Sequence, residues 1–178
     1  MNRMKKNVWL LSFCQALMNS GNILLVATSS LVGYHIAANK ALATLPLGLQ
    51  FLGTMLTTIP ASMFMKHVGR RAGFIVGTLL GLAGAALASW AIVHGSFFYC
   101  CAGAVLFGAF NGFGTYYRFA AADVATADYR PTAISYVMAG GLLSAVLGPQ
   151  LVKVTVDGMA VTFLGTYLAV IALNAVGI

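Results

Sequence analysis

The sequence predicts an all-α membrane protein built of six transmembrane helices. Three observations carry this expectation. The chain is 60% hydrophobic and 7% charged, with a mean hydropathy of +0.90, whereas a soluble domain carries roughly a quarter charged residues. Its apolar runs are not interrupted by polar faces of helical or strand period, so both faces of each run meet an apolar medium. The runs also reach the ~20 residues that a helix needs to cross a bilayer, where a membrane β-strand would need only ~10 and would alternate. The net charge of +7 sits between these runs, where basic residues report topology. A lipid bilayer is therefore the expected partner, and nucleic acid is not.

The elements follow in order. The first span covers residues 8–36. Met1-Asn2-Arg3-Met4-Lys5-Lys6 precedes it like the basic start of a secretory signal. The apolar stretch that follows is far longer than the ~7–15 residues of a signal core, so the segment is expected to stay in place. Asn39-Lys40 marks the break before a second span at 42–65, and the basic turn KHVGRR separates that from a third at 72–93. His94-Gly95-Ser96 opens onto a fourth at 97–119; the polar stretch 121–131 leads to a fifth at 132–153; Asp157-Gly158 leads to a sixth at 159–178.

Lys and Arg set the direction. Arg3, Lys5 and Lys6 precede the first span, Lys66, Arg70 and Arg71 follow the second, and Arg118 and Arg130 flank the loop after the fourth. All fall on one side, leaving Lys40 and Lys153 for the other. The positive-inside rule then places the N-terminus and these loops in the cytoplasm, for a protein of a bacterial inner (cytoplasmic) membrane. Gly73, Gly77 and Gly81, then Gly108 and Gly112, then Gly140, Ser144 and Gly148 form small-residue ridges. Such ridges let helix backbones approach closely in lipid.

Three stretches resemble motifs of the major facilitator superfamily. Ser62 to Arg71 is similar to the family's G-x-L-a-D-R-x-G-R-R loop: Gly69, Arg70 and Arg71 match, while Ser62 and Lys66 replace its first glycine and its acid. ADVATADYRPTAIS looks like the loop before the fifth span, with Asp123 and Arg130 in the charged places. GLLSAVLGPQL resembles the antiporter motif of the fifth span through Gly148-Pro149, without its trailing glycines. The resemblance implies that the six spans are one half of a twelve-helix fold, the N-terminal one, made of two inverted three-helix repeats. It implies a gating role for the loop residues, and an ion pair between Arg70 or Arg71 and Asp123.

Polar residues inside the spans mark where a solute could pass. Gln15, Asn19 and Asn22 share one face of the first span, and amides at this depth must face protein or a water-filled cavity. They line a substrate pathway or act as interhelical glue, and both readings stand at this point. Gln50 with Thr54 and Thr57 marks a face of the second span, and Asn111, Thr115 and Arg118 one of the fourth. Arg118 either snorkels to the interface or points into a cavity towards an anionic or polar solute.

The acidic inventory is three Asp and no Glu, none deep in a span. No paired carboxylates, metal-ligand cluster, nucleophile elbow or phosphate loop is present, so neither catalytic residues nor a metal or cofactor is expected. The chain reads as half of a secondary transporter moving a small solute by alternating access. The alternative is a six-span structural or assembly protein. Because LNAVGI ends the sixth span without a basic flank, the chain is expected to be a fragment, or to pair with another copy that supplies the second half.

Overall fold

The computed structural model describes residues 3–155 and 164–176. The expected break at Asp157-Gly158 and the start of the sixth span lie outside the described residues. Within them the chain is entirely helical apart from its turns. Its long helices are α1 (Arg3–Ile36), α2 (Leu45–Val68), α3 (Arg70–His94), α4 (Phe97–Gly114) and α6 (Arg130–Thr155), with the shorter α5 (Tyr117–Val124) and α7 (Leu164–Val176). Five apolar stretches, with mean hydropathies of 1.4 to 1.9, are long and apolar enough to cross a membrane; α4 and α5 together make one of them. A helix satisfies its backbone internally, and for such residues in lipid nothing else but a closed barrel does.

Local chemistry sets the joints. Gly69 alone separates α2 from α3, at φ 98°, in a region that costs a side-chain-bearing residue strain but costs glycine nothing. Gly95 ends α3 in the left-handed conformation, φ 65°, the usual residue for that cap. The fourth apolar stretch differs from the single span at 97–119 that hydropathy suggests. It breaks at Thr115-Tyr116, where the Tyr116 N–H reaches the Phe113 carbonyl and tightens the last turn. It then resumes as α5, so Asp123 sits on a helix rather than in a loop. The run Asn111-Gly112-Phe113-Gly114, with two of the poorest helix formers, lies just before that break.

Packing is inverted relative to a soluble protein. Large apolar side chains such as Trp9, Phe13, Ile59, Leu79 and Phe98 point outward, where lipid would receive them. Helix contacts are made by small residues. α2 lies on α4, with Gly53 against Val105, Gly108 against the Gln50 carbonyl, and Gly112 against Thr57. The Thr54 hydroxyl bridges the same pair, donating to the Gly108 carbonyl at 3.0 Å. α3 crosses α4 with Gly77 under Phe113, Gly81 under Phe110 and Gly84 under Gly103. α1 lies on α6, with Gly140 against Ser12 and Gly148 against Ile23, and the Ser12 hydroxyl donates to the Tyr136 carbonyl at 2.7 Å. α7 packs on α1 and α3. These contacts form two triads, α2–α3–α4 and α1–α6–α7, and the amide cluster described next lies where they meet.

Candidate functional site

Between α1, α2, α4 and α6 lies a cleft of about 550 Å³. Gln15, Asn19 and Asn22 face it from α1, Asn111, Thr115 and Arg118 from α4 and its continuation, and Thr54 from α2. The remaining wall is apolar: Met18, Phe51, Val137, Met138 and Leu142, with Gly141 between. Polar groups converging in a mostly apolar concavity of this size are what small-solute sites require.

The amides are bonded to one another. Asn22 Oδ1 accepts two hydrogen bonds, from Gln50 Nε2 at 2.7 Å and from Asn111 Nδ2 at 2.9 Å. Gln50 is 1% exposed and stands behind the wall rather than on it. It therefore holds Asn22 in place and is itself satisfied, which a buried amide in a membrane requires. Along α1, Gln15 Nε2 donates to Asn19 Oδ1 at 3.1 Å. Gly141 has no side chain where the Asn19 amide approaches, and an added Cβ would lie 2.7 Å from its Nδ2. Asn111 Oδ1 is buried and has no hydrogen-bond partner among the described residues.

The polar residues of these spans fall into two sets by position, with Asn22 in both. Ser12 joins α1 to α6 and Gln50 secures Asn22, whereas Gln15, Asn19, Asn22 and Asn111 front the cleft. Arg118 lies on the cleft wall with its Cζ 5.0 Å from the Phe119 ring centre. Among the described residues it pairs with no carboxylate, so the cleft carries a cation and no matching anion.

The loop-motif residues gather at the end of the bundle where α2, α3 and α5 meet. Arg70 Nε donates to Asp123 Oδ2 at 2.5 Å, the only ion pair among the described residues. Arg71 is exposed and does not take part. Lys66, Gly69, Arg70, Tyr116, Phe119 and Asp123 line a second depression there, and the Tyr116 hydroxyl ties α4 to α2 through the Thr58 carbonyl at 2.8 Å. Arg130 opens α6 with an exposed side chain. Gly148 lets α6 close on Ile23, and the adjacent Pro149 is exposed within α6. No group of three potential metal ligands occurs among the described residues.

Phe51, Met138 and Leu142 escaped sequence reasoning, since an apolar residue facing a cleft and one facing lipid carry the same hydropathy. Gly141, beside Gly140 in the ridge, was the available signal for Met138 and Leu142.

The family model of the Major Facilitator Superfamily matches residues 8–178. The chain is 39% identical over 166 residues to a riboflavin transporter, RfnT, of Brucella anthropi, an alignment that covers 93% of this chain and 42% of that relative. It is 27% identical over 149 residues to an uncharacterized MFS-type transporter, YddS, of Bacillus subtilis, covering 84% of this chain and 34% of the other. The chain thus spans less than half the length of the curated relatives it matches.

Proposed function

The chain belongs to the major facilitator superfamily, a family of multi-pass membrane transporters, and from that premise we propose that it supplies half of the solute pathway of a secondary transporter for a flat, amide-bearing solute of the riboflavin type. The row of Gln15, Asn19, Asn22 and Asn111 along a cleft with apolar sides carries the reading. A planar heteroaromatic solute needs an apolar slot for its faces and hydrogen-bonding groups at its edge, and Phe51, Met138 and Leu142 alternate with amides in that way. The relative named a riboflavin transporter points to the same solute class. Family membership lends no support to an assembly protein without a transport cycle.

Alternating access is the proposed mechanism. The pathway is completed by a second six-helix bundle, from further chain or from another copy, which covers the cleft and rocks against this one. The two inverted repeats within this half are α1–α2–α3 and α4/α5–α6–α7. Exchanging the repeats turns the α1·α6 contact into α4·α2 and α1·α7 into α4·α3, all four being present. The proposed orientation keeps Lys5, Lys6, Lys66, Arg70, Arg71, Arg118 and Arg130 in the cytoplasm of a bacterial inner membrane. At that end Arg70–Asp123 is proposed as a latch, with Gly69, Arg71 and Arg130 around it and Gly148-Pro149 setting the α6–α1 approach. The mechanism calls for no catalytic group and no cofactor.

The test is uptake. The protein translated from its complete reading frame, reconstituted into proteoliposomes, should take up riboflavin saturably, and Asn19→Leu should lower that uptake at least about tenfold, a loss of 1.4 kcal/mol or more. Absence of saturable riboflavin uptake overturns the reading of the solute.

A further inference from the structure

Among the described residues, one buried polar atom at the cleft is left without a partner. Asn111 is 8% exposed and spends its Nδ2 on Asn22, while its Oδ1 accepts nothing among the described residues. A buried acceptor left open costs about 1–3 kcal/mol, and no hydrogen bond among the described residues relieves that cost. Beside it the situation is reversed. Asn22 Oδ1 is saturated by Gln50 and Asn111, and none of the hydrogen bonds among the described residues uses Asn22 Nδ2. Two adjacent amides at the cleft wall therefore hold one buried, unpaired acceptor on Asn111 next to a donor on Asn22 that no hydrogen bond among the described residues uses.

We infer that this pair reads an N–H beside a ring carbonyl, the edge of a cyclic imide or lactam, with Asn111 Oδ1 accepting from the ring N–H and Asn22 Nδ2 donating to the carbonyl. The inference rests on the proposed function and sharpens it, because riboflavin carries such an imide at the end of its ring system opposite the dimethylbenzene. The ring lies with that edge against α1 and α4 and its faces against Phe51 and Met138. Selectivity follows from the cost of mismatch: a solute of the same shape with no N–H leaves Asn111 Oδ1 open, and sites built around buried hydrogen-bonding groups discriminate strongly against such analogues. Gln50 acts through Asn22 as a positioning residue.

The test compares riboflavin with 3-methylriboflavin, in which a methyl group replaces the imide hydrogen and removes the donor. Binding is read from quenching of flavin fluorescence by the purified protein of the complete reading frame. Wild type should bind the methyl compound about 10- to 100-fold more weakly, the equivalent of one unsatisfied buried acceptor. Asn111→Ala should lower riboflavin affinity by a similar factor and bring the ratio of the two ligands close to one. Gln50→Leu should weaken riboflavin while keeping part of the discrimination. Equal affinity of wild type for both ligands overturns the inference, and so does an undiminished ratio in Asn111→Ala. If Asn111→Ala does not fold, the wild-type ratio alone decides. Failure of wild type to bind riboflavin at all overturns the function reading, and the imide inference falls with it, an outcome distinct from the other two.

Discussion

At the scale of single residues, the oxygen of Asn22 joins three helices, with two donors from two other helices on it. Asn22→Leu strands both Gln50 Nε2 and Asn111 Nδ2. Each interhelical bond of this kind is worth about 0.6–2 kcal/mol in a membrane, so the melting temperature in detergent should fall by several degrees. Removing a buried donor along with its acceptor costs less than stranding it. Asn22→Leu combined with Gln50→Leu should therefore melt above the level that adding the two single effects gives, and strict additivity would show that the two side chains are not coupled. The Arg70–Asp123 pair behaves otherwise. Its side chains are 33% and 57% exposed, and exposed pairs contribute about 0–1 kcal/mol. Asp123→Asn should leave thermal stability within that range while changing uptake rate; a loss above 2 kcal/mol would mean that the carboxylate has a structural duty instead. That an amide stripe existed was legible in the sequence, because amides at membrane depth have few places to go. That Asn22 meets Asn111 was not, since the partners lie 89 positions apart and nothing in either neighbourhood encodes the other. The choice of Arg70 over Arg71 was equally hidden, depending on how α3 is rotated about its axis.

Among the elements, α2 and α4 approach closely, and glycine permits it. A Cβ on Gly108 would fall on the carbonyl oxygen of Gln50, whereas one on Gly48, also helical, would meet nothing within 4 Å. Gly108→Ala should therefore destabilise by about 1–3 kcal/mol through overpacking and disturb the Gln50–Asn22 bond next to it. Gly48→Ala should be neutral, or stabilising by up to about 1 kcal/mol through helix propensity. Thermal melts of the two variants side by side give the comparison, and equal effects would show that α2 and α4 leave room for a side chain at Gly108. The ridge glycines were readable as packing positions because small residues at four-residue spacing have that use in lipid. Their partners were not, since a ridge does not say which helix lies upon it. Neither was the joint at Thr115-Tyr116, because hydropathy is blind to a break that leaves the apolar run intact.

Over the whole molecule, the apolar lengths point to a bilayer, and the basic ends are the ground for the proposed orientation. The proposed orientation is tested by cysteine labelling. A membrane-impermeant thiol reagent should label His67→Cys in inverted vesicles but not in intact cells, and Ala38→Cys in intact cells, both residues being exposed at opposite ends of α2 and its approach. The opposite pattern would reverse the topology. Fold class was legible because composition alone separates lipid from water as the solvent. The cleft was less so, since its shape follows from the interleaving of two triads that sequence order conceals.

That interleaving also has a timetable. The bond from Asn22 to Gln50 spans 28 positions, so it can form as soon as the first two helices stand in the bilayer. The bond from Ser12 to Tyr136 spans 124. At about 5–20 residues per second, a ribosome takes roughly 6–25 s to make that stretch. For that interval α1 stands without the helix that will later cover it, and its amide face depends on whatever lipid, water or insertion machinery is at hand. Gln50 reaches Asn22 early, which makes it the residue that sees the newborn helix through its wait.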